Sequence, residues 1–402
     1  MKNKSQTLFY FIITILLAVI LITYPGQAFE ASVKGLKMWW EIVFPSLLPF
    51  FITAELLIGF GVVTFIGVLF EPIMRPLFNV PGGGSFAWMM GMASGYPSGA
   101  KITTRLREEN ILTQIEAERL VSFTNASSPL FIFGAIAVGF FHNPQLGLLI
   151  AVAHYIGNAL VGICMRFHGK SEEKKHPTKP SKTFSVTRAF KEMHHTRMKH
   201  NHPLGHMLGQ AVTQSIQTLL MIGGFIILFS VLTSLLLVTG ITPLIVHSIQ
   251  SIFHIIGIPL AFALPFLSGL FEITIGAQMI AQLQTDPILH HVILVSFMLG
   301  FNGLSVQAQV ASIIAKTDIR FYPYFFARIL HGIFASILAI LLYQPLYLAK
   351  KSESVLSTGD QSTHKHVAEK ILHFFEIYGA IITFLCLSIY ACYILLKKRK
   401  HS

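Results

Sequence analysis

From Leu8 to Tyr24 the chain runs 17 residues without a charged side chain, close to the shortest stretch that crosses a bilayer as a helix. Leu146–Cys164 and Ile377–Leu396 are two more such runs, and further apolar stretches between them are broken by glycine and proline. In hydrocarbon every backbone polar group needs an internal partner, so only helices and closed barrels span it. Barrel strands alternate apolar and polar residues, and these runs do not. Charged residues make up 12% of the chain, about half the usual share of a soluble domain. The sequence therefore predicts an all-α polytopic integral membrane protein, with about eight transmembrane helices plus broken or re-entrant segments.

Lys2 and Lys4 precede the first run, a pattern shared with signal peptides. The stretch Pro25-Gly26-Gln27-Ala28-Phe29-Glu30 offers no small-x-small cleavage site. Residues 1–26 are thus expected to be an uncleaved transmembrane anchor. The net charge of +12 gathers in loops and tails, which argues for orientation in a membrane and against a nucleic-acid partner. Arg166 to His206 holds ten lysines or arginines against Glu172, Glu173 and Glu192, and the chain ends in Lys397-Lys398-Arg399-Lys400 before His401 and Ser402. The positive-inside rule puts this loop, the tail and the N-terminus in the cytoplasm; binding of lipid headgroups is the lesser alternative. Cys164, Cys386 and Cys392 all fall in apolar segments, which argues against a disulfide framework and a zinc site. His194, His195, His200, His202 and His206 lack a ligand-like spacing. No metal or other cofactor is expected.

This orientation makes residues 27–166 and 207–347 each cross an odd number of times, in opposite senses. They read as two inverted repeats, separated by a basic His-rich cytoplasmic loop (167–206). A charged extracytoplasmic loop (348–370) and a last span with its basic tail (371–402) follow. Gly99-Ala100 recurs as Gly276-Ala277, Asn125 as Asn302, Ser128 as Ser305 and His154 as His331. All four share an offset of 177 residues. Ser94-Gly95 pairs with Ser268-Gly269 if the second copy carries a three-residue insertion. Each copy has interrupted membrane segments: Pro45-Ser46 and Pro49, Gly91 to Gly99, and Phe123 to Pro129 in the first; Leu267-Ser268-Gly269 and Gly300 to Gly303 in the second. Proline lacks the N–H and glycine is costly inside a helix. Paired interruptions in inverted halves point to a transporter site. Lys101 to Arg119, with four glutamates and four cations, is expected to be a surface helix joining two broken elements.

The candidate substrate-binding residues are those at the breaks. Ser94, Ser98, Asn125, Ser127, Ser128, Asn302, Ser305 and Gln307, with Gln309 beside them, supply neutral donors and acceptors. Interhelical hydrogen bonding is the competing explanation for each. Helix N-termini after Ser98 and Asn125 would present free N–H groups to an anion. Glu272 is an acid in an apolar setting, which in a membrane usually marks a function: it would bind a cation, carry a proton or touch the substrate. Glu41 and Glu55 rank lower, having no matching break. Lys101 is the candidate cation; Lys101, Arg105 and Arg328 all also fit snorkelling interfacial roles. His154 and His331, being paired, favour a shared structural role. Enzymatic activity is not expected. His154 and Ser94-Gly95 vaguely suggest a rhomboid-type protease, but position 92 is methionine where that motif needs glycine. No Gly-x-x-x-x-Gly-Lys phosphate loop is present.

Trp39-Trp40-Glu41 with Pro45-Ser46 and Pro49, then Gly91 to Lys101 and Phe123-Thr124-Asn125, resemble the sporulation integral membrane protein YlbJ family. The similarity extends from the first span to Tyr347, and more distantly to the group carrying the nucleoside-recognition or gate domain. It implies a place in the outer forespore membrane of a sporulating cell and a part in moving dipicolinic acid. Other sporulation membrane proteins are implied as possible partners; no site residues transfer. The expected function is alternating-access transport of a small organic anion without ATP, with a non-transporting scaffold as the alternative. Oligomeric state is left open.

Overall fold

The computed structural model describes residues 2–169, 185–199, 203–285 and 287–349. The loop and last span expected after Ala349, and much of the basic loop, lie outside them. Every regular element among the described residues is helical. The first helix, α1 (Lys2–Thr23), meets the next at 99°. A first series follows: α2 (Pro25–Met38), a π-helical turn (Trp39–Val43), α3 (Phe44–Gly59), α4 (Val62–Phe78), α5 (Gly84–Ser94), α6 (Ser98–Glu108), α7 (Gln114–Thr124), a longer π-helix (Leu130–Phe140) and α8 (Gln145–Met165). After α9 (Val186–Lys199) comes the second: α10 (Leu204–Val238), α11 (Ile241–Ile256), α12 (Ala263–Phe271), α13 (Ile273–Gln282), α14 (Leu289–Phe301), α15 (Gly303–Ile314) and α16 (Phe321–Tyr343).

The two series match landmark by landmark. α4 and α11 both start from a left-handed glycine, Gly61 (φ 75°) and Gly240 (φ 74°). They end on left-handed residues too, Asn79 and Gly257; asparagine tolerates that conformation better than most side chains. α5 closes at Gly95 and α12 at Glu272, again 177 apart. The tight crossing that follows is also repeated. A Cβ on Gly91 or Gly99 would run into the Thr124 carbonyl, and one on Gly276 would meet the Gly269 backbone. Gly269 and Gly276 thus make the close crossing in the second series that Gly91 and Gly99 make in the first.

The halves are antiparallel. α14 and α15 run end to end as one long apolar crossing, Leu289–Ile314. Just past its end, Asp318 takes a two-pronged ion pair from Arg107 and its carbonyl a hydrogen bond from Gln114, which places the α6–α7 turn there. At its start, His291 packs against Phe141 in the turn before α8. The α6–α7 turn corresponds to the α13–α14 turn, yet the two lie at opposite ends of this crossing. Inversion places them so.

Four helices among the described residues are long and apolar enough to cross a membrane, or five if the bent α1–α2 pair is one span. The last expected span lies outside the described residues, and the breaks divide other apolar stretches into short helices such as Leu130–Phe140 and Ile241–Ile256. Lys101 to Arg119 departs from expectation more sharply. It forms a hairpin, α6 and α7, whose Thr103, Leu106, Glu118 and Arg119 are fully buried. Burial is possible because each charge has a partner. Glu118 takes hydrogen bonds from Arg320, and Arg119 caps the carbonyls of Asn79 and His168. A capping box of Thr113 and Glu116 starts α7.

Candidate functional site

At the centre the two halves meet through matched residues. Asn302 donates to the Asn125 carbonyl at 3.1 Å, and both amides donate to the Tyr324 hydroxyl, at 2.8 Å from Asn125 and 3.2 Å from Asn302. The His154 and His331 rings stand 4.6 Å apart, with His331 Nε2 2.8 Å from the His154 carbonyl. Equivalent residues touch each other, so a local two-fold axis passes between them. Arg328, expected near an interface, is instead fully buried here. It donates to the carbonyls of Asn125 and Ser122 at the end of α7, where a cation complements the helix dipole. The His154 Nε2 accepts from the Ser127 N–H at 2.9 Å, while Ser94 donates to the Met90 carbonyl. This serine and histidine are engaged elsewhere and form no dyad.

Beside the axis lies a cavity of about 320 Å³, within the range of small-molecule sites. Its polar end is built from the breaks. Ser94 and Tyr96 come from the α5–α6 link, Ser127 and Ser128 from the break after α7, and Glu272 and Thr274 from the α12–α13 link. Ser305 and Gln309 of α15 complete it, Ser305 being the repeat counterpart of Ser128. Among the described residues, the hydroxyls of half-buried Tyr96 and buried Ser127 have no hydrogen-bonding partner but one another. The apolar wall comes from Val43, Leu47, Phe131 and Phe140 with Ile222 and Ile226 of α10. Both π-helical stretches contribute to it, in keeping with the habit of such geometry to sit at functional sites.

The expected residues thus divide. Ser94, Ser127, Ser128, Glu272 and Ser305 line the cavity. Asn125, Asn302 and Gln307 are buried outside it, the asparagines on the axis and Gln307 donating to the Phe301 carbonyl. Ser98 turns its hydroxyl back to the Gly95 carbonyl. Lys101 lies away from the cavity, paired with Glu55 at 2.9 Å and over the Phe51 ring. No lysine or arginine is among the described residues that line the cavity. The N-terminus of α13, which was not among the expected anion sites, is occupied by the chain itself. Glu272 caps α13 with its own carboxylate, accepting from the Ile275 N–H at 2.9 Å and the Thr274 hydroxyl at 3.2 Å. Tyr96 and Thr274 were not singled out in the sequence, although both sit within or beside the breaks. Of the loop histidines, His194 and His195 are exposed on α9 and His206 is exposed on α10; His200 and His202 lie outside the described residues.

The profile of the Gate family, described as nucleoside recognition, matches residues 40–164 and 219–317. The sporulation integral membrane protein YlbJ of Bacillus subtilis (strain 168) is 53% identical over 348 residues, covering 86% of this chain and 85% of that protein. An uncharacterized protein of Alkalihalophilus pseudofirmus is 34% identical over 131 residues, 31% of this chain and 27% of that one. No solved structure matches. The two matched segments fall one in each half and take in nearly the whole cavity lining. This multi-pass membrane protein belongs to the Gate family and, within it, to the family of the sporulation integral membrane protein YlbJ.

Proposed function

We propose that the protein transports a small organic anion, dipicolinate, across the outer forespore membrane of a sporulating cell, with the basic loop and both termini in the cytoplasm. The central cavity carries this reading. It sits where interrupted helices from two inverted halves meet, the arrangement expected of an alternating-access site. Its size suits a small planar solute, and its hydroxyls offer donors to carboxylate oxygens. Its similarity to the sporulation integral membrane protein YlbJ supports the cellular setting. The single carboxyl in the lining shapes the chemistry. A dicarboxylate entering beside ionised Glu272 would meet like charge in a low-dielectric setting. A proton shared between them, or delivered with the solute, removes that repulsion, so transport is proton-coupled and needs no ATP.

Proteoliposomes holding only this protein, offered dipicolinate or nucleosides under a pH gradient, test the proposal. Dipicolinate uptake should follow the gradient, and Glu272→Gln should abolish the gradient's effect. Gln keeps an acceptor for the Ile275 N–H, so the variant should remain folded. Absence of uptake, or normal spore dipicolinate in cells lacking the protein, would overturn the reading. One observation favours a non-transporting scaffold in a sporulation membrane complex: no lysine or arginine is among the described residues that line the cavity. If deletions in the basic loop abolish function while apolar replacements of Glu272 and Ser305 do not, the scaffold stands.

A further inference from the structure

A second cavity, of about 280 Å³, lies below the first on the same helices. On α3 Leu47 faces the central cavity and Glu55, two turns on, faces the second. On α10 Ile222 and Ile226 face the first; Gln214, Gln217 and Thr218 face the second. On α15 Ser305 and Gln309 give way to Ile313, then to Lys316 just beyond the helix. The α5–α6 link lines the first cavity, and Lys101, Thr104 and Glu108 of α6 line the second. Four elements therefore carry one file of residues from one chamber into the other. The polar stripe on α10 is conspicuous, because Gln214, Gln217 and Thr218 follow helical spacing on a 35-residue helix apolar enough to cross a membrane. Water-lined cavities account for such residues in a membrane.

Between the chambers lies one apolar layer. Phe51, midway between Leu47 and Glu55, is 1% exposed and packs with Leu219, Ile222 and Ile226. Its ring also sits 5.0 Å from the Lys101 ammonium on the second-cavity side. Opposite, the Met221 sulfur is 3.6 Å from the Ser312 hydroxyl of α15, which closes the gap between α10 and α15. An apolar constriction at Phe51 and Met221, between the apolar wall of the central cavity and the polar second cavity, is the form of a hydrophobic gate.

The second chamber is also built for an anion. Lys101 is matched by Glu55, and Arg105 by Glu109 at 2.9 Å. Lys316 has no carboxylate partner among the described residues, and the buried Thr104 hydroxyl has no hydrogen-bond partner. Lys101 and Arg105 are thus balanced by Glu55, Glu108 and Glu109, and Lys316 supplies the cation left over for an anion. Lys316 lies two residues from Asp318, at the end of the molecule where α8 finishes and α10 begins.

We propose that the second cavity is a waiting site for a small organic anion on the basic-loop side, and that Phe51 and Met221 form the gate between it and the central cavity. The proposal deepens the transport reading and rests on it for the direction of solute flow. Its test needs no dipicolinate. In full-length chain with Cys164, Cys386 and Cys392 replaced by serine and reconstituted in liposomes, single cysteines are placed at Thr104 or Ser305. They are then reacted from the basic-loop side with sulfonate or trimethylammonium methanethiosulfonate. The Thr104→Cys site should react, and Ser305→Cys should react at least about tenfold more slowly. Phe51→Ala or, separately, Met221→Ala should raise the Ser305→Cys rate about tenfold while leaving Thr104→Cys unchanged. Relative to their rates with a free thiol, the sulfonate should be favoured over the cation at Thr104→Cys, and Lys316→Gln should lower that preference about threefold. Equal rates at the two sites, or a Ser305→Cys rate indifferent to both gate variants, would overturn the gate. A preference for the cationic reagent would overturn the anion site. If labelling follows this pattern while proteoliposomes take up no dipicolinate, the substrate assignment fails and the pathway stands.

Discussion

Arg328 is the residue on which the centre turns. Its guanidinium meets carbonyls of Ser122 and Asn125, with no carboxylate paired to it among the described residues, and lies 3.0 Å from His331 Nδ1. Replacing it by methionine keeps the apolar stem but leaves acceptors buried without donors, each costing roughly 1–3 kcal/mol. Arg328→Met should therefore lower the thermal midpoint of the detergent-solubilised protein by several degrees, followed by fluorescence or light scattering. Lysine, a point donor, should restore part of it. An unchanged midpoint would mean the arginine is not the keystone of the axis. At this scale the sequence was informative about which residues matter and misleading about why. The offset of 177 picked out Asn125, Asn302, His154 and His331, because asparagine and histidine are rare inside apolar runs. For the asparagines that rarity suggested ligands, and for the paired histidines a structural role; the structure places both pairs on the axis, hydrogen-bonded across it. Whether an amide faces a cavity or its own twin depends on where the axis falls, which spacing does not record. Glu272 was visible as an acid in an apolar run, and it does reach the cavity.

Between residues and molecule stand the hairpins that build each break. α5 crosses α6 through Gly91 and Gly99, and α12 crosses α13 through Gly269 and Gly276. A Cβ on Gly276 would come 2.9 Å from the Pro265 carbonyl oxygen as well as striking Gly269. Backbone does not yield as a flexible side-chain tip does, so Gly276→Ala should destabilise by about 1–3 kcal/mol, as overpacking does. Gly224→Ala, where nothing lies within 4 Å, is the control and should be neutral or slightly stabilising in a helix. Comparing the two thermal midpoints decides the matter; equal shifts would show that the crossing is loose. The breaks themselves were legible, since proline and glycine announce them. The α6–α7 hairpin was not. Its charges read as a solvated face because the partners that permit burial, Arg320 above all, lie some two hundred residues away.

For the molecule as a whole, the two halves are clamped at the basic-loop end by ion pairs. Buried Glu118 joins α7 to Arg320 before α16 and to His168 after α8, while Arg107 joins Asp318. Burial acts to raise the Glu118 pKa, and the hydrogen bonds from His168 and Arg320 outweigh it, holding it at about 2. Asp318 is likewise lowered, first by the hydrogen bond from Arg107. A carboxylate lowered on folding adds stability above its unfolded pKa and loses it as pH falls towards the folded value. The thermal midpoint should therefore decline as pH drops below about 4.5, the ordinary value for glutamate. Arg320→Gln should be less stable than the parent at neutral pH and converge on it in acid. A constant difference across that range would show that the clamp contributes nothing electrostatic. Helical class and membrane character were plain from composition, and the repeat was plain from its offset. The number of unbroken spans was not, because hydropathy counts apolar length and cannot see where a crossing is cut in two.

The axis also bears on what one continuous polypeptide makes possible. Where His154 faces His331 and Asn125 meets Asn302, the two copies present the same residue to each other. Away from that line the copies are released from each other: the corner closed by Gly95 in one half is closed by Glu272 in the other. A pair of separate, identical subunits would have to install any acid at that corner twice, facing the solute from both sides. Joining the halves lets the molecule hold a lone carboxyl there.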